Sequence, residues 1–182
     1  MTLPANIQIE QGIIGTLLLS PKHIPAAQLL VSADFSASEH AQIFSLIAAA
    51  AGEGRALSPL TLGSQIGDLR FGAMNASQYL AKLVTNCADP TVLPEYIAEL
   101  KELAARRQML SLAENLKSFA QTPTSSIGPF VSEMVGALDG VHASLPGDEE
   151  ALQAMRALGY TQSEAREALR KVPTTIEKSN ER

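Results

Sequence analysis

The sequence predicts an all-α protein, and three observations support this fold class. Ala (27) and Leu (24), two strong helix formers, make up 51 of the 182 residues. Aromatic residues, which favour strands, form only 4% of the chain, and Trp is absent. Apolar residues recur at helical spacing in most segments, and hydrophobic residues reach 46%, enough for a buried core. A β-sandwich or a β-barrel is therefore excluded.

The first half of the chain predicts three helical segments. Apolar residues from Ile9 onward form a wide stripe that ends at Ser20-Pro21, and a shorter helix follows to about Val31. Ser36-Ala-Ser-Glu39 has the spacing of a capping box, which predicts the start of the next helix. Gly52-Glu-Gly54 predicts its end, because glycine favours helix C-termini.

Three further helices are predicted before the first polar linker. Ser58-Pro59 combines a capping residue with Pro at the first helical position, and the helix it begins runs to about Leu69. Asn75-Ala-Ser-Gln78 is a second capping box. The longest helix is expected from Pro94 to about Gln121. These elements predict a helical bundle over residues 1–121.

The remaining residues are expected to form a linker and a small tail. Residues 122–126 are polar, residues 127–141 are amphipathic, and residues 143–147 contain Pro and Gly. We therefore expect residues 122–147 to be a linker with one amphipathic helix. Residues 148–182 carry new helical signals, including a third capping box at Thr161-Gln-Ser-Glu164, and are expected to form a separate domain.

No catalytic or metal-binding motif is present. No Gly in the chain is followed by Lys, which excludes the phosphate-binding P-loop. The three histidines are far apart in the sequence, and Cys87 is the only cysteine, so a metal site is not expected. Gly12-Ile-Ile-Gly15 resembles a nucleotide-clamping loop but lies in an apolar helical stripe, where close helix packing is favoured. We expect neither an enzyme nor a cofactor.

The net charge and the single cysteine limit which partners and which cellular compartment we expect. The net charge is −5, and residues 1–100 contain 4 basic and 8 acidic residues, so direct DNA binding should be weak or absent. One cysteine permits no internal disulfide and suits a reducing compartment. Because no signal peptide or membrane-spanning run is evident, we expect a cytoplasmic protein without membrane contact.

Residues 3–121 resemble the N-terminal domain of DnaB-type replicative DNA helicases. The resemblance lies in four segments that keep the family's order: "LPANIQIEQGIIGTLLLSP", "LLVSADFSASEHAQIFSLIAAAAGEG", "SPLTLGSQI" and "AMNASQYLAKLVTNCADPTVLPEYIAELKELAARRQMLSLAENL". In that family the domain is a helical bundle ending in a helical hairpin, which assembles subunits into a ring collar and docks primase or loader proteins. The resemblance therefore implies self-association.

The family's ATPase domain does not follow the linker. We therefore expect that this chain alone neither hydrolyses ATP nor unwinds DNA. The tail, "DEEALQAMRALGYTQSEAREALRKVPTTIEKSNER", resembles the C-terminal, ubiquitin-associated (UBA)-like domain of the Holliday-junction protein RuvA. That three-helix domain docks onto an AAA+ motor through an apolar surface. The resemblance implies that Leu158, Gly159 and Tyr160 contact a partner. The simpler interpretation of Tyr160 is a half-buried packing residue.

Together these features predict a non-catalytic assembly module in DNA replication or recombination. Its partners would be a primase, a helicase loader or an AAA+ motor, and Arg106 and Arg107 are candidate contacts on the longest helix. The simpler interpretation of both arginines is a solvated helix face. Two alternatives stay open: the chain is the front part of a helicase whose motor lies on another chain or was lost, or it competes with a true helicase for its loader.

Overall fold

The structure is a computed structural model that describes residues 3–55, 58–67, 70–122 and 126–145. Six α-helices are present in these ranges: α1 (Ile7–Leu19), α2 (Ser38–Gly52), α3 (Pro59–Ile66), α4 (Ala76–Thr85), α5 (Leu93–Ala120) and α6 (Ile127–Ala143). Three short 3₁₀ segments connect them: Pro21–Ala27, Ser32–Asp34 and Pro90–Val92. The predicted all-α fold class is therefore confirmed, and the tail from residue 146 onward lies outside the described residues.

Three local details differ from the sequence predictions. The helix expected to reach Val31 is a 3₁₀ segment, Pro21–Ala27, because Pro25 inside it cannot donate a helical hydrogen bond. The helix α3 ends at Ile66, where Gly67 takes a positive φ of 68°. An antiparallel pair of two-residue strands, β1 (Arg70–Phe71) and β2 (Met74–Asn75), lies before α4 and was not predicted.

Two of the predicted N-terminal caps are confirmed, and one is wrong. The side chains of Asn75 and Gln78 form the expected capping box of α4. Ser58 caps α3. The box predicted from Ser36 and Glu39 does not form, because α2 begins at Ser38 with Ala37 as a cap that makes no side-chain bond. The amide and hydroxyl of Ser36 donate instead to the carboxylate of Glu10 on α1.

The core is organised around α1. Ile13, Ile14 and Leu17 are completely buried, and α1 contacts α2, α4 and α5. At Gly15 a Cβ atom would lie 2.1 Å from the carbonyl oxygen of Leu83 on α4, so only glycine permits this approach of the two backbones. At Gly12 a Cβ would lie 3.0 Å from the ring of Tyr96. The close helix packing predicted for these two glycines is therefore confirmed.

The helix α5 belongs to two regions of the molecule. Its first half lies in the core through Leu93, Ile97 and Leu100, and Ala105 is its last buried residue. We call the described part of residues 3–105 the head. Residues 106–120 and α6 form an antiparallel helical hairpin, which we call the arm. Among the arm residues that the structure describes, only Val141 is buried.

Candidate functional sites in the head and the arm

The head contains a network of buried polar side chains, which we call the buried network. Glu10 on α1 and His40 on α2 are 0% and 1% exposed, and the Nδ1–H of His40 donates to Glu10 Oε2 at 2.6 Å. The hydroxyl of Tyr79 on α4 lies 2.6 Å from His40 Nε2. Gln11 donates to the same hydroxyl oxygen at 3.4 Å. The buried network therefore joins three helices, and both ring nitrogens of His40 have partners.

Hydrogen bonds keep Glu10 ionised in spite of its burial. Burial raises the pKa of Glu10, but hydrogen bonds from His40, from the Ser36 hydroxyl and from the amides of Ser36 and Ala37 together lower it below the ordinary value of 4.5. The Ser36 amide donates over 2.8 Å and the Ala37 amide over 3.3 Å. The carboxylate is therefore a fixed acceptor that holds the residues directly before the N-terminus of α2 against α1.

The buried network stabilises the fold and does not form a reaction centre. Burial raises the pKa of Tyr79, which stays a neutral phenol that can donate to His40. The ring of Tyr79 stacks on Phe71 of β1 with 4.4 Å between the ring centroids. Because Glu10 and His40 are almost fully buried, no substrate can reach them. The network therefore positions α1, α2 and α4 relative to one another.

The sequence contains a signal for this network, although the predicted site residues did not include it. Glu10 precedes Ile13 by three residues and Leu17 by seven, so the carboxylate lies in the apolar stripe of α1. His40 has the same spacing to Ile43 and Ile47 on α2. A charged side chain within an apolar helix face needs a buried partner, because an unpaired buried charge is costly. That requirement predicts a pair, although it does not identify the partner.

The arm carries exposed apolar side chains along one side of α6. We call Ile127, Val131, Val135 and Leu138 the arm face. Their spacing puts them on one helix face, and each is between 49% and 70% exposed. Met109 and Leu116 on the α5 part of the arm are each 53% exposed. A run of apolar residues at helical spacing that stay about half exposed or more is typical of an interaction surface.

Internal contacts hold the hairpin together. Phe119 near the end of α5 stacks on Phe130 near the start of α6, with 3.7 Å between the ring centroids and an angle of 3° between the planes. At the other end of α6, Val141 is buried. The two helices of the arm are therefore joined where the chain turns by side chains other than those of the arm face.

The two arginines predicted as partner contacts have different surroundings. Arg106 is 62% exposed, and its guanidinium contacts Glu102 one turn earlier on the same helix. It lines an open groove of about 820 Å³ where the arm meets the head, together with Pro4, Ala98, Glu99, Glu102, Leu103 and Leu145. Arg107 is half-buried and donates to the backbone carbonyls of Pro4, at 2.9 Å, and Asp34. The guanidinium of Arg106 is therefore accessible to a partner, whereas Arg107 binds the arm to the head.

Leu158, Gly159 and Tyr160, the other predicted partner contacts, lie outside the described residues. Within the described ranges, no group of three His, Cys, Asp or Glu side chains is placed to hold a metal ion. None of the helices that the structure describes has the length and apolar character required to cross a membrane. The two features that remain as candidate sites are the arm face and the groove beside Arg106.

The head and the arm define an α-helical fold with an exposed helical hairpin and a head stabilised by internal polar contacts. The family model for the DnaB-like helicase N terminal domain matches residues 2–102, more than half of the chain. The chain therefore belongs to the DnaB-like helicase N-terminal domain family. The resemblance stated from the sequence for this region is confirmed.

Full-length relatives match over the same region. A replicative DNA helicase DnaB of Rickettsia bellii is 29% identical over 116 residues, which are 63% of this chain and 23% of that protein. A replicative DNA helicase DnaB of Geobacillus stearothermophilus is 21% identical over 132 residues, 71% of this chain and 29% of that protein. The chain thus spans about a quarter of the length of the curated relatives that it matches.

Two solved structures share the fold. The N-terminal domain of DnaB helicase from Mycobacterium tuberculosis superposes with a TM-score of 0.65 at 20% identity, covering 75% of this chain and 98% of that domain. A DnaB-like replicative helicase, described together with its interactions with primase, gives a TM-score of 0.58 at 18% identity. That match covers 86% of this chain and 35% of the helicase. At these identities the matches establish the fold alone.

Proposed function

We propose that this chain is a non-catalytic assembly module of DNA replication whose arm binds a second copy of the chain. The observation that carries the proposal is the arm face, four apolar side chains at helical spacing that are about half exposed or more. Family membership supports it, because the resemblance to the helicase collar domain implies self-association. Burying exposed apolar surface is favourable by about 25 cal/mol per Å².

The size of the purified chain over a range of concentrations tests self-association. In sedimentation experiments the wild-type chain should assemble as its concentration rises. Val131→Glu combined with Val135→Glu puts two charges on the arm face and should leave a folded monomer, because burying an unpaired charge is costly. Ser132→Glu is the matched control, since it adds a charge to an exposed position of α6 outside the arm face. Assembly that survives the double substitution would contradict the proposal.

We further propose that a primase binds the groove where the arm meets the head. Support comes from the DnaB-like helicase with the same fold, which is described with its interactions with primase. Arg106 is the proposed contact, because an exposed ion pair within one helix contributes little to stability and leaves its guanidinium accessible. A helicase loader is the alternative partner that the family resemblance implies.

Titration with purified primase tests this contact. Arg106→Ala should weaken binding by about 1–3 kcal/mol if the arginine is an interface anchor. Arg55→Ala is the control, because Arg55 is also exposed and pairs locally with Glu53 in the head. Equal affinities of the wild-type chain and Arg106→Ala would exclude the proposed contact.

For the tail we propose a second docking role, on the resemblance of residues 148–182 to the UBA-like domain of RuvA. Its partner would be an AAA+ motor, and Leu158, Gly159 and Tyr160 would form the contact. Tyr160→Ala should weaken motor binding by about 1–3 kcal/mol without changing helicity. A loss of helicity in the same variant would assign Tyr160 to the core of the tail instead.

The proposed module has no catalytic role of its own. Because no Gly in the sequence is followed by Lys, no P-loop can bind the phosphates of ATP. We expect no magnesium-dependent ATP hydrolysis by the purified chain. Hydrolysis that co-purifies with the chain, and that a point mutation of the chain abolishes, would contradict this part of the proposal.

A further inference from the structure

We propose that a polar cluster at the base of the arm, which we call the latch, sets the angle and the register at which α5 leaves the head. The latch consists of Asp34, Lys101 and Arg107 together with the carbonyl of Pro4. It joins three parts of the chain: the N-terminal segment, the 3₁₀ segment Ser32–Asp34 and α5. The latch acts within one chain, so the angle and the register of α5 that it sets do not depend on which molecule binds the arm.

The centre of the latch is a buried ion pair. The Nζ atom of Lys101 lies 2.9 Å from Asp34 Oδ2, and the two side chains are 9% and 4% exposed. The same carboxylate oxygen accepts a hydrogen bond of 2.7 Å from the amide of Val31, which fixes its position in the 3₁₀ segment. Lys101 lies in the part of α5 that packs in the head, four residues before Ala105, the last buried residue of the helix.

This ion pair fixes the register of α5. If α5 slid by one turn, the ammonium group of Lys101 would lose Asp34 while it remained buried. An unpaired buried charge is strongly unfavourable, whereas apolar side chains tolerate small shifts against one another. This pair joins two different elements, whereas the pairs of Arg55, Arg106 and Lys117 each lie within one helix or one turn. The pair therefore favours one register of α5 against the head over registers that are shifted by one turn.

Arg107 fixes the direction of α5 beyond the core. It lies two residues after Ala105, and its guanidinium donates to the carbonyls of Pro4 and Asp34. A guanidinium holds two acceptors in a rigid planar arrangement, so these bonds restrain rotation as well as distance. Glu99 lies two turns before Arg107 on α5, and its carboxylate accepts a hydrogen bond of 3.0 Å from Asn6 in the N-terminal segment. The N-terminal segment therefore binds α5 at two points along its exit from the head.

The arm amplifies any change at the latch. Residues 107–120 span roughly 20 Å at about 1.5 Å per residue, so a pivot of about 15° would move the end of α5 by roughly 5 Å. A displacement of this size would change where the arm face meets its partner. The latch thus links the internal polar contacts of the head to the geometry of the docking surface.

Distances between spin labels on the head and the arm test the proposal. Labels are attached at Ala81→Cys on α4 and Ser118→Cys near the end of α5, in a chain that also carries Cys87→Ala. An excess of unlabelled chain ensures that only distances within one molecule are measured. Arg107→Gln should shift the distance by about 5 Å or broaden its distribution correspondingly, because the arm loses its restraint.

The neighbouring arginine is the matched control. Arg106→Gln removes the same charge one residue earlier, but the guanidinium of Arg106 pairs with Glu102 on its own helix, so the distance distribution should not change. A second variant, Asp34→Asn with Lys101→Met, removes both buried charges together, so that neither remains unpaired. It should broaden the distribution while the helicity is retained.

Two results would overturn the proposal. One is an unchanged distance distribution in folded Arg107→Gln, which decides the question even if the double variant does not fold. The other is an equal shift in Arg106→Gln and Arg107→Gln, which would assign the effect to charge rather than to the contacts with Pro4 and Asp34.

Discussion

In the head, polar side chains are buried and paired, whereas in the arm apolar side chains are exposed. Glu10, His40 and Lys101 are each less than 10% exposed and have partners on other elements. The arm face has the reverse character, with apolar residues that are each between 49% and 70% exposed. The head therefore pairs these three buried groups within itself, while the arm presents apolar side chains that another molecule can cover. One helix, α5, contributes to both regions.

The largest effect that would test this difference is expected at the centre of the buried network. Glu10→Ala leaves His40, Ser36 and Ala37 without their acceptor, and should lower the free energy of unfolding by about 3–5 kcal/mol. Urea unfolding followed by circular dichroism measures this change. Glu102→Ala is the control, because the exposed pair with Arg106 should contribute less than about 1 kcal/mol. Similar losses in both variants would contradict the assigned role of the buried network.

Replacing glycine by alanine should change the free energy of unfolding in opposite directions in the head and in the arm. Gly15→Ala forces a Cβ against the backbone of Leu83 and should cost about 1–3 kcal/mol or more of stability. Gly136→Ala, in the middle of α6, meets no atom within 4 Å and should stabilise the chain by about 0.5–1 kcal/mol. Thermal unfolding of both variants measures the change in stability. A destabilising effect of Gly136→Ala would show that the arm is packed more tightly than the structure indicates.

A smaller effect is expected from pH. Because the pKa of Glu10 in the folded chain lies below its ordinary value of 4.5, the ionised carboxylate contributes stability above that pH. This contribution is lost as the pH falls through the lowered folded pKa. Glu10→Gln cannot titrate, so its stability should decline less steeply than that of the wild-type chain below pH 4.5. Parallel declines would show that other carboxylates dominate the acid response.

Local patterns predicted the helices of the head well, because each depends on residues close in sequence. The box of Asn75 and Gln78 needs only a spacing of three residues, and it forms as predicted. The box of Ser36 fails because Glu10, 26 residues earlier, takes both of its donors. The strands β1 and β2 contain two residues each, too few for an alternating pattern to be recognised.

The sites were harder to predict than the fold. The sequence marked Arg106 and Arg107 as equivalent candidates, and the structure distinguishes them by their partners. Arg107 contacts Pro4, 103 residues away in the sequence, and no spacing rule can predict such a contact. The family resemblance rested on segments containing Glu10, His40 and Tyr79. These residues form the buried network, so the resemblance carried structural information that composition did not.

Hydrogen exchange of the full chain at two concentrations tests most directly whether the head is self-contained and the arm is the docking surface. On raising the concentration, amides of α6 and of residues 106–120 should exchange more slowly, because association suppresses local opening of the arm. Amides in the middle of α1, where Ile13, Ile14 and Leu17 are completely buried, should exchange at the same rate at both concentrations. Slower exchange confined to α1 and α2, with no change in the arm, would contradict the account.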